Sequence, residues 1–424
     1  MPALGAREYW GMIRDVFSNR NILAISMTTS LWSLVQQGWH PFWPKYMLDN
    51  LGASVTIIGL FTAITTAEQL LFQLPGGILA DRYGRKRIIV YGSLIRTLSP
   101  LIYFLAPSWE WIIPAAIING MASLYSPAFS AIIADSLPEK RRGAGYGAYN
   151  TITNVPMMLG PLIGGLAIEA YGYEFGVKAF LAVQVVMGLV MTGVRHMILH
   201  ETIEPRHRET KASLVPKAQT FREFPGTIKV MIAVAIIGSF SSRLVFDLIN
   251  LYALEVLKLS PGQLGLINTA VGATSMLLAL PGGMLSDRYG RRNNIMLGRT
   301  VSPISQGLVT LAGGFNAYFA VRVFNAAGIA VGGSGMEAGG PSWNALITDI
   351  VPPEKRATVM GTIGTLTAVV AAPGSVLGGY LWDTVSPQLP FQLSMVVGLI
   401  SAALFWVKVR EPTAEEKLGV EQRG

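Results

Sequence analysis

Twelve apolar stretches, each long enough to cross a bilayer as a helix, dominate this 424-residue chain. They run roughly over 21–47, 54–80, 88–106, 109–135, 145–169, 176–199, 227–255, 262–286, 294–313, 316–348, 357–382 and 389–408. A spanning helix needs about 20 mostly apolar residues. Hydrocarbon offers the backbone no outside hydrogen-bond partner, so each stretch is predicted to be helical. Only 14% of the residues are charged, against roughly 25% in a soluble protein, too few to face water on every side. Zero cysteines exclude disulfides, thiolate metal sites and cysteine nucleophiles, and four histidines argue against a histidine-rich metal centre. The expected fold class is all-α and polytopic, with twelve transmembrane helices.

One long polar stretch, 200–225, divides the chain into two six-span halves, 1–199 and 226–424. Most of the 33 lysines and arginines lie at the termini, in this stretch, or in the loops around Arg82, Lys140, Arg288 and Lys355. Only Lys45, Lys178 and Lys258 fall in the opposite loops, while Arg96, Arg243, Arg299 and Arg322 are left inside the spans. Basic loops stay in the cytoplasm, so both termini are expected there, in a multi-pass protein of the plasma membrane. The net charge of +8 is a topology signal, and no nucleic-acid partner is expected. The N-terminus carries no secretory signal pattern.

The halves repeat each other. At an offset of 206, residues 75–85 (PGGILADRYGR) match 281–291 (PGGMLSDRYGR), and the register holds back to Ser33 and Ser239. Further on the offset becomes 214, pairing Pro127 with Pro341, Asp135 with Asp349, Arg142 with Arg356, Gly160 with Gly374 and Gly164 with Gly378. Parallel repeats of this kind build one class of transporter, with the substrate site near mid-membrane between them. The repeated G-x-x-x-D-R-x-G-R element resembles the signature loop of the Major Facilitator Superfamily, and the likeness covers nearly the whole chain. It implies two pseudo-symmetric six-helix bundles that rock around a central cavity. Asp81 and Arg82, with their counterparts Asp287 and Arg288, would then latch the cytoplasmic side; simple helix capping is the plainer role for Asp81. Residues 160–165 (GPLIGG) are similar to the antiporter motif of exporters in that family, where Gly160 and Pro161 would help seal the cavity. Two features depart from the family pattern: Pro156 stands where a glycine is expected, and the fourth span holds no arginine.

Ionisable groups inside a membrane are costly and are functional candidates by default. Glu68 and Glu337 sit 13 and 12 residues before Asp81 and Asp349, so about 20 and 18 Å from those helix ends. The glycines of 332–340 (GGSGMEAGG) suggest a helix that bends or breaks around Glu337, although glycines also serve close packing. Arg243 and Asp247 are one turn apart on the seventh span, within pairing reach. That spacing would hold the Asp247 charge, so the expected proton-coupling order is Glu337, Glu68, Asp247. Substrate-binding candidates are Gln36, Gln37 and His40 on the first span, Asn150 and Asn154 on the fifth, and Arg243; the 206 offset pairs Gln37 with Arg243. Trp43 is expected in the interfacial aromatic belt, and Arg96 and Arg299, which open matching Arg-Thr-x-Ser-Pro pentapeptides, in structural roles. A G-x-G-x-x-A match at 333–338 lacks a preceding strand and is dismissed.

The sequence reads as a secondary transporter rather than an enzyme, with no catalytic residues, no metal and no cofactor expected. The favoured activity is proton-coupled export of amphipathic organic compounds by a monomer in the lipid bilayer. The alternative is import or facilitated passage of a polar metabolite such as a sugar or organic anion.

Overall fold

The computed structural model describes residues 18–137, 142–202, 224, 226–337, 339–351 and 353–410. The expected loop residues Lys140 and Arg141, the terminal charges Arg7, Arg14, Lys417 and Arg423, and nearly all of the central polar stretch lie outside the described residues.

All regular structure among the described residues is helical. In the first half the spans are α1 (Arg20–Trp39) continued by α2 (Trp43–Asp49), α3 (Val55–Tyr83), α4 (Arg85–Leu105), α5 (Ile112–Ala122) continued by α6 (Ser126–Ser136), α7 (Arg142–Tyr171) and α8 (Tyr173–Ile198). In the second they are α9 (Gly226–Arg243) continued by α10 (Leu248–Glu255), α11 (Pro261–Tyr289), α12 (Arg291–Val309), α13 (Phe315–Gly332) continued by α14 (Pro341–Ile350), α15 (Pro353–Thr384) and α16 (Leu389–Lys408). Twelve spans result, as the apolar stretches require. Among the described residues, eight of these spans meet the length and hydropathy of a membrane-crossing segment.

Local chemistry sets the helix ends. Asn19 accepts from the backbone N–H groups of Asn21 (2.9 Å) and Ile22 (3.4 Å) at the start of α1, and Ser260 and Gln263 form a capping box on α11. The turns α3–α4 and α11–α12 each hinge on one residue, Gly84 and Gly290, both at φ 93°, a conformation costly for a side chain. The tenth span does break around Glu337: Gly333, Gly339 and Gly340 all have positive φ, and the Ser342 N–H donates to the Gly333 carbonyl at 3.3 Å.

Of the described residues, those within Met1–Tyr46, Asn50–Gly52 and Glu68–Ala212 form one compact unit, and those within Met47–Asp49, Ala53–Ala67 and Ser213–Gly424 form the other. Each has a core built on the same plan. Ile22, Ile25, Ile89, Ile132 and Ile133 are buried together in the first unit. Their counterparts in the repeat, Ile228, Met231, Ile295, Leu346 and Ile347, are buried together in the second. Leu71, Leu277 and Leu280 stand exposed.

Glycines bring the backbones together. A Cβ on Gly164 would fall on the Gly38 carbonyl, and one on Gly378 would fall on the Leu244 carbonyl; both pairs are related by the repeat. Trp43 departs from the belt expectation. It is 4% exposed, stacked on Tyr46 at 5.4 Å and packed on Trp39 and Tyr103 at 5.2 and 4.9 Å. Ring contacts enclose it on several sides, and its Nε1 has no hydrogen-bond partner among the described residues.

Gly164→Val should lower the melting temperature and yield of the detergent-purified protein, since overpacking costs about 1–3 kcal/mol. A Cβ on Gly193 meets nothing within 4 Å, so Gly193→Ala should melt at or above the wild-type temperature. Equal behaviour of the two variants would contradict the packing role.

Candidate functional site

The repeated loops are built around an ion pair that single-sequence reading did not single out. Arg85 pairs with Asp135, and Arg291 pairs with Asp349 at the matching place in the other unit. In the first unit the Glu201 carboxylate also accepts from the backbone N–H groups of Arg85 (3.1 Å) and Lys86 (3.0 Å), closing the N-terminus of α4. The expected latch residues Asp81, Arg82, Asp287 and Arg288 are all exposed. Arg82 and Arg288 lie over the rings of Tyr83 and Tyr289, at 5.4 and 5.5 Å.

In the first unit Glu68 is 7% exposed and lies against Gly120, where an added Cβ would strike its side chain. Its Oε2 is buried without a hydrogen-bond partner among the described residues. Gln36 is drawn into a polar group: its Oε1 accepts from Trp32 Nε1 at 3.2 Å and Arg96 Nη2 at 3.4 Å. Gln37 lies under Gly160, whose Cβ position falls on it. His40 is exposed at the start of a short 3-10 turn, and Asn150 and Asn154 are exposed on α7. These three are not gathered with the others.

Sequence position assigns Arg195 to the cytoplasmic end of the sixth span, but the structure buries it at 1% exposure. Its guanidinium donates to Thr28 Oγ1 (3.1 Å), Ser93 Oγ (2.7 Å) and Thr29 Oγ1 (3.1 Å). The hydroxyls stand on α1 and α4, more than 100 residues away in sequence, so no local spacing points to them.

In the second unit the Glu337 carboxylate accepts from the Ser242 hydroxyl at 3.1 Å and faces Arg243 Nε at 3.9 Å. The expected Arg243–Asp247 pairing does not form. The helix is interrupted over 244–247; Arg243 makes its ion-pair contact with Glu337, while Asp247 is hydrogen-bonded to Thr62 and feels the Arg243 charge from farther off. Asp247 stands before α10 without capping it. Arg299, 1% exposed, donates to the Glu337 carbonyl (3.4 Å) and the Ser401 hydroxyl (3.4 Å). A further polar group was missed: Arg322 Nη2 donates to Asn268, which donates to Asn250, at 3.4 and 3.2 Å. Among the described residues no three His, Cys, Asp or Glu side chains come together as a metal site.

The chain is similar to known proteins. The Major Facilitator Superfamily model matches residues 21–260 and 230–424. The multi-drug resistance efflux pump PmrA homolog of Lactococcus lactis subsp. lactis (strain IL1403) is 26% identical over 376 residues, covering 80% of this chain and 84% of that one. A Na(+), Li(+), K(+)/H(+) antiporter of Planococcus maritimus is 30% identical over 193 residues, 44% of each chain. The crystal structure of nucleoside transporter NupG superposes with a TM-score of 0.75 at 13% identity, covering 92% of this chain and all of that one.

A double-mutant cycle checks the carboxylate pairing. Arg243→Gln and Glu337→Gln should be coupled by about 0.5–1 kcal/mol in unfolding measurements, whereas Arg243→Gln and Asp247→Asn should be coupled more weakly. Coupling to Asp247 and none to Glu337 would reverse the assignment.

Proposed function

Because this chain belongs to the Major Facilitator Superfamily, we propose that it is a proton-coupled exporter moving amphipathic organic compounds across the plasma membrane by alternating access. The two six-span halves, 1–199 and 226–424, rock against each other about the 200–225 connection, with both termini cytoplasmic. Asp81 and Arg82 with Asp287 and Arg288 steady the cytoplasmic closure, and the glycine–proline tract at Gly160 and Pro161 limits leakage. Gln36, Gln37, His40, Asn150, Asn154 and Arg243 contact substrate during the cycle.

The observation that carries the reading is the pair of intramembrane carboxylates held in unlike surroundings. A proton-driven carrier needs an acid that exchanges its proton as access alternates. Glu68 is buried with one oxygen lacking a donor, so its ionised form would carry an uncompensated charge. Glu337 has Arg243 and Ser242 beside it, so protonation there frees a guanidinium for a substrate. With Arg243 beside Glu337, the lead in proton carriage passes to Glu68. Glu337 serves as the exchangeable partner of Arg243, and Asp247 ranks third. The efflux pump and antiporter among the relatives support the direction and the coupling.

The alternative of import or facilitated passage of a polar metabolite is favoured by one feature, the fourth span without arginine. Dye accumulation in cells separates the readings. Producing cells should retain less of an amphipathic dye than controls, and a proton uncoupler should erase the difference. Proton-independent net uptake of a sugar or organic acid by reconstituted vesicles would instead establish the alternative.

In everted vesicles, Glu68→Gln should abolish dye transport driven by an imposed pH gradient while leaving energy-independent exchange intact. Should that variant still concentrate dye and Glu337→Gln fail to, Glu337 is the proton carrier.

A further inference from the structure

The two units use their buried arginines unequally. In each, a fully buried guanidinium lies over the aromatic ring at the same place in the repeat: Arg195 over Phe129 at 5.3 Å, and Arg299 over Trp343 at 4.5 Å. The two reach that place from different spans. Arg195 stands four residues before the end cap of α8, where its carbonyl accepts the Leu199 N–H at 3.1 Å. The same position on α16 is Phe405, whose carbonyl accepts the Val409 N–H at 2.9 Å. In the second unit Phe405 covers Arg299 at 5.8 Å. In the first, α4 has Ser93 at the Arg299 position, and it accepts from Arg195. One stacked guanidinium per unit is thus part of the shared architecture.

Arg96 is additional. The 206 offset pairs it with Ser302, which is buried and uncharged. Arg96 Nη1 donates to the Tyr125 hydroxyl at 2.6 Å, and its guanidinium lies over Trp32 at 5.2 Å. Arg96 and Arg195 both line a cavity of about 230 Å³, together with Trp32, Tyr125, Phe129 and Ser130. None of its lining side chains is acidic. Among the described residues neither guanidinium has a carboxylate within ion-pair distance. Two cations facing one low-dielectric space repel each other and lack a counter-charge. The hydroxyl and carbonyl acceptors take two N–H groups of Arg96, and three of Arg195 besides its contact with the Tyr125 hydroxyl, out of five on each side chain.

We infer that this cavity in the first unit binds the anionic group of a small organic acid, a carboxylate or sulfonate carried on an aromatic body. Guanidinium forks match the geometry of such oxyanions. The Tyr125 hydroxyl, having accepted from Arg96, keeps its own proton to donate, and Trp32 and Phe129 supply ring faces for the body. The cavity volume suits one ring and its acid group. The inference does not rest on the direction or coupling proposed above, because binding needs no gradient.

Calorimetry on the full chain in phosphatidylcholine nanodiscs tests it, with benzenesulfonate as the probe, benzyl alcohol as the neutral match and inorganic phosphate as the ringless anion. Benzenesulfonate should bind and the other two should not. Arg96→Gln should weaken binding by about ten- to a hundredfold, with Arg96→Lys intermediate and the unliganded melting temperature held. Tyr125→Phe, which keeps the ring packing, should weaken it by a smaller factor and stands in if Arg96→Gln does not fold. Equal binding of benzyl alcohol, or benzenesulfonate binding unaltered in both variants, would overturn the site. Phosphate competing as strongly as benzenesulfonate, or phosphatidylglycerol in the discs abolishing its binding, would reassign the arginines to a phosphate or lipid head group and also overturn it.

Discussion

Leucine against leucine gains little in lipid, where the surroundings are as apolar as the partner, so the spans depend on backbones that can touch. Gly164 lies on the Gly38 carbonyl and Gly378 on the Leu244 carbonyl, places where any side chain would collide. Gly160 and Gly374 extend the same contacts toward Gln37 and Arg243. The duplication in the sequence is therefore a duplication of helix-to-helix contacts. The same constraint carries the candidate residues Gln37 and Arg243 into equivalent places beneath a glycine-bearing helix.

Close packing leaves little room for unpaired polarity, and the interior meets that demand in two ways. Arg195 donates to hydroxyls from two other spans. Arg299 draws on a helix break: the interrupted tenth span frees the Glu337 carbonyl, which accepts from Arg299. Gly238 and Gly298 let that broken segment dock, since a Cβ on either would fall on the Met336 or Ser334 carbonyl. The break thus holds Glu337 where Ser242 and Arg243 reach its carboxylate. Positioning of this acid and burial of the neighbouring arginine are one structural solution.

The glycines of 332–340 announced that break in the sequence, because so many in one span are costly unless the backbone needs them. Glu68 and Glu337 were legible as candidates because acids are rare in apolar runs. Their surroundings were not. Arg243 was one turn from Asp247 on paper, and a four-residue interruption was enough to send it to an acid 94 positions away. Arg195, near the end of the sixth span, carries no sequence signal of the hydroxyls it meets. Trp43 read as an interfacial anchor from its type, although Trp39, Tyr46 and Tyr103 enclose it.

What the sequence by itself determined are the properties that depend on composition and period: twelve spans, their duplication, and the rarity of charge within them. These follow from solvation, which each segment meets independently of the others. The tertiary structure alone decided which carboxylate faces which guanidinium, which aromatic rings are enclosed, and that the second arginine of one unit, Arg96, lines a cavity. Such pairings join residues on different helices. They are set by how the helices cross, and no spacing along a single helix encodes that.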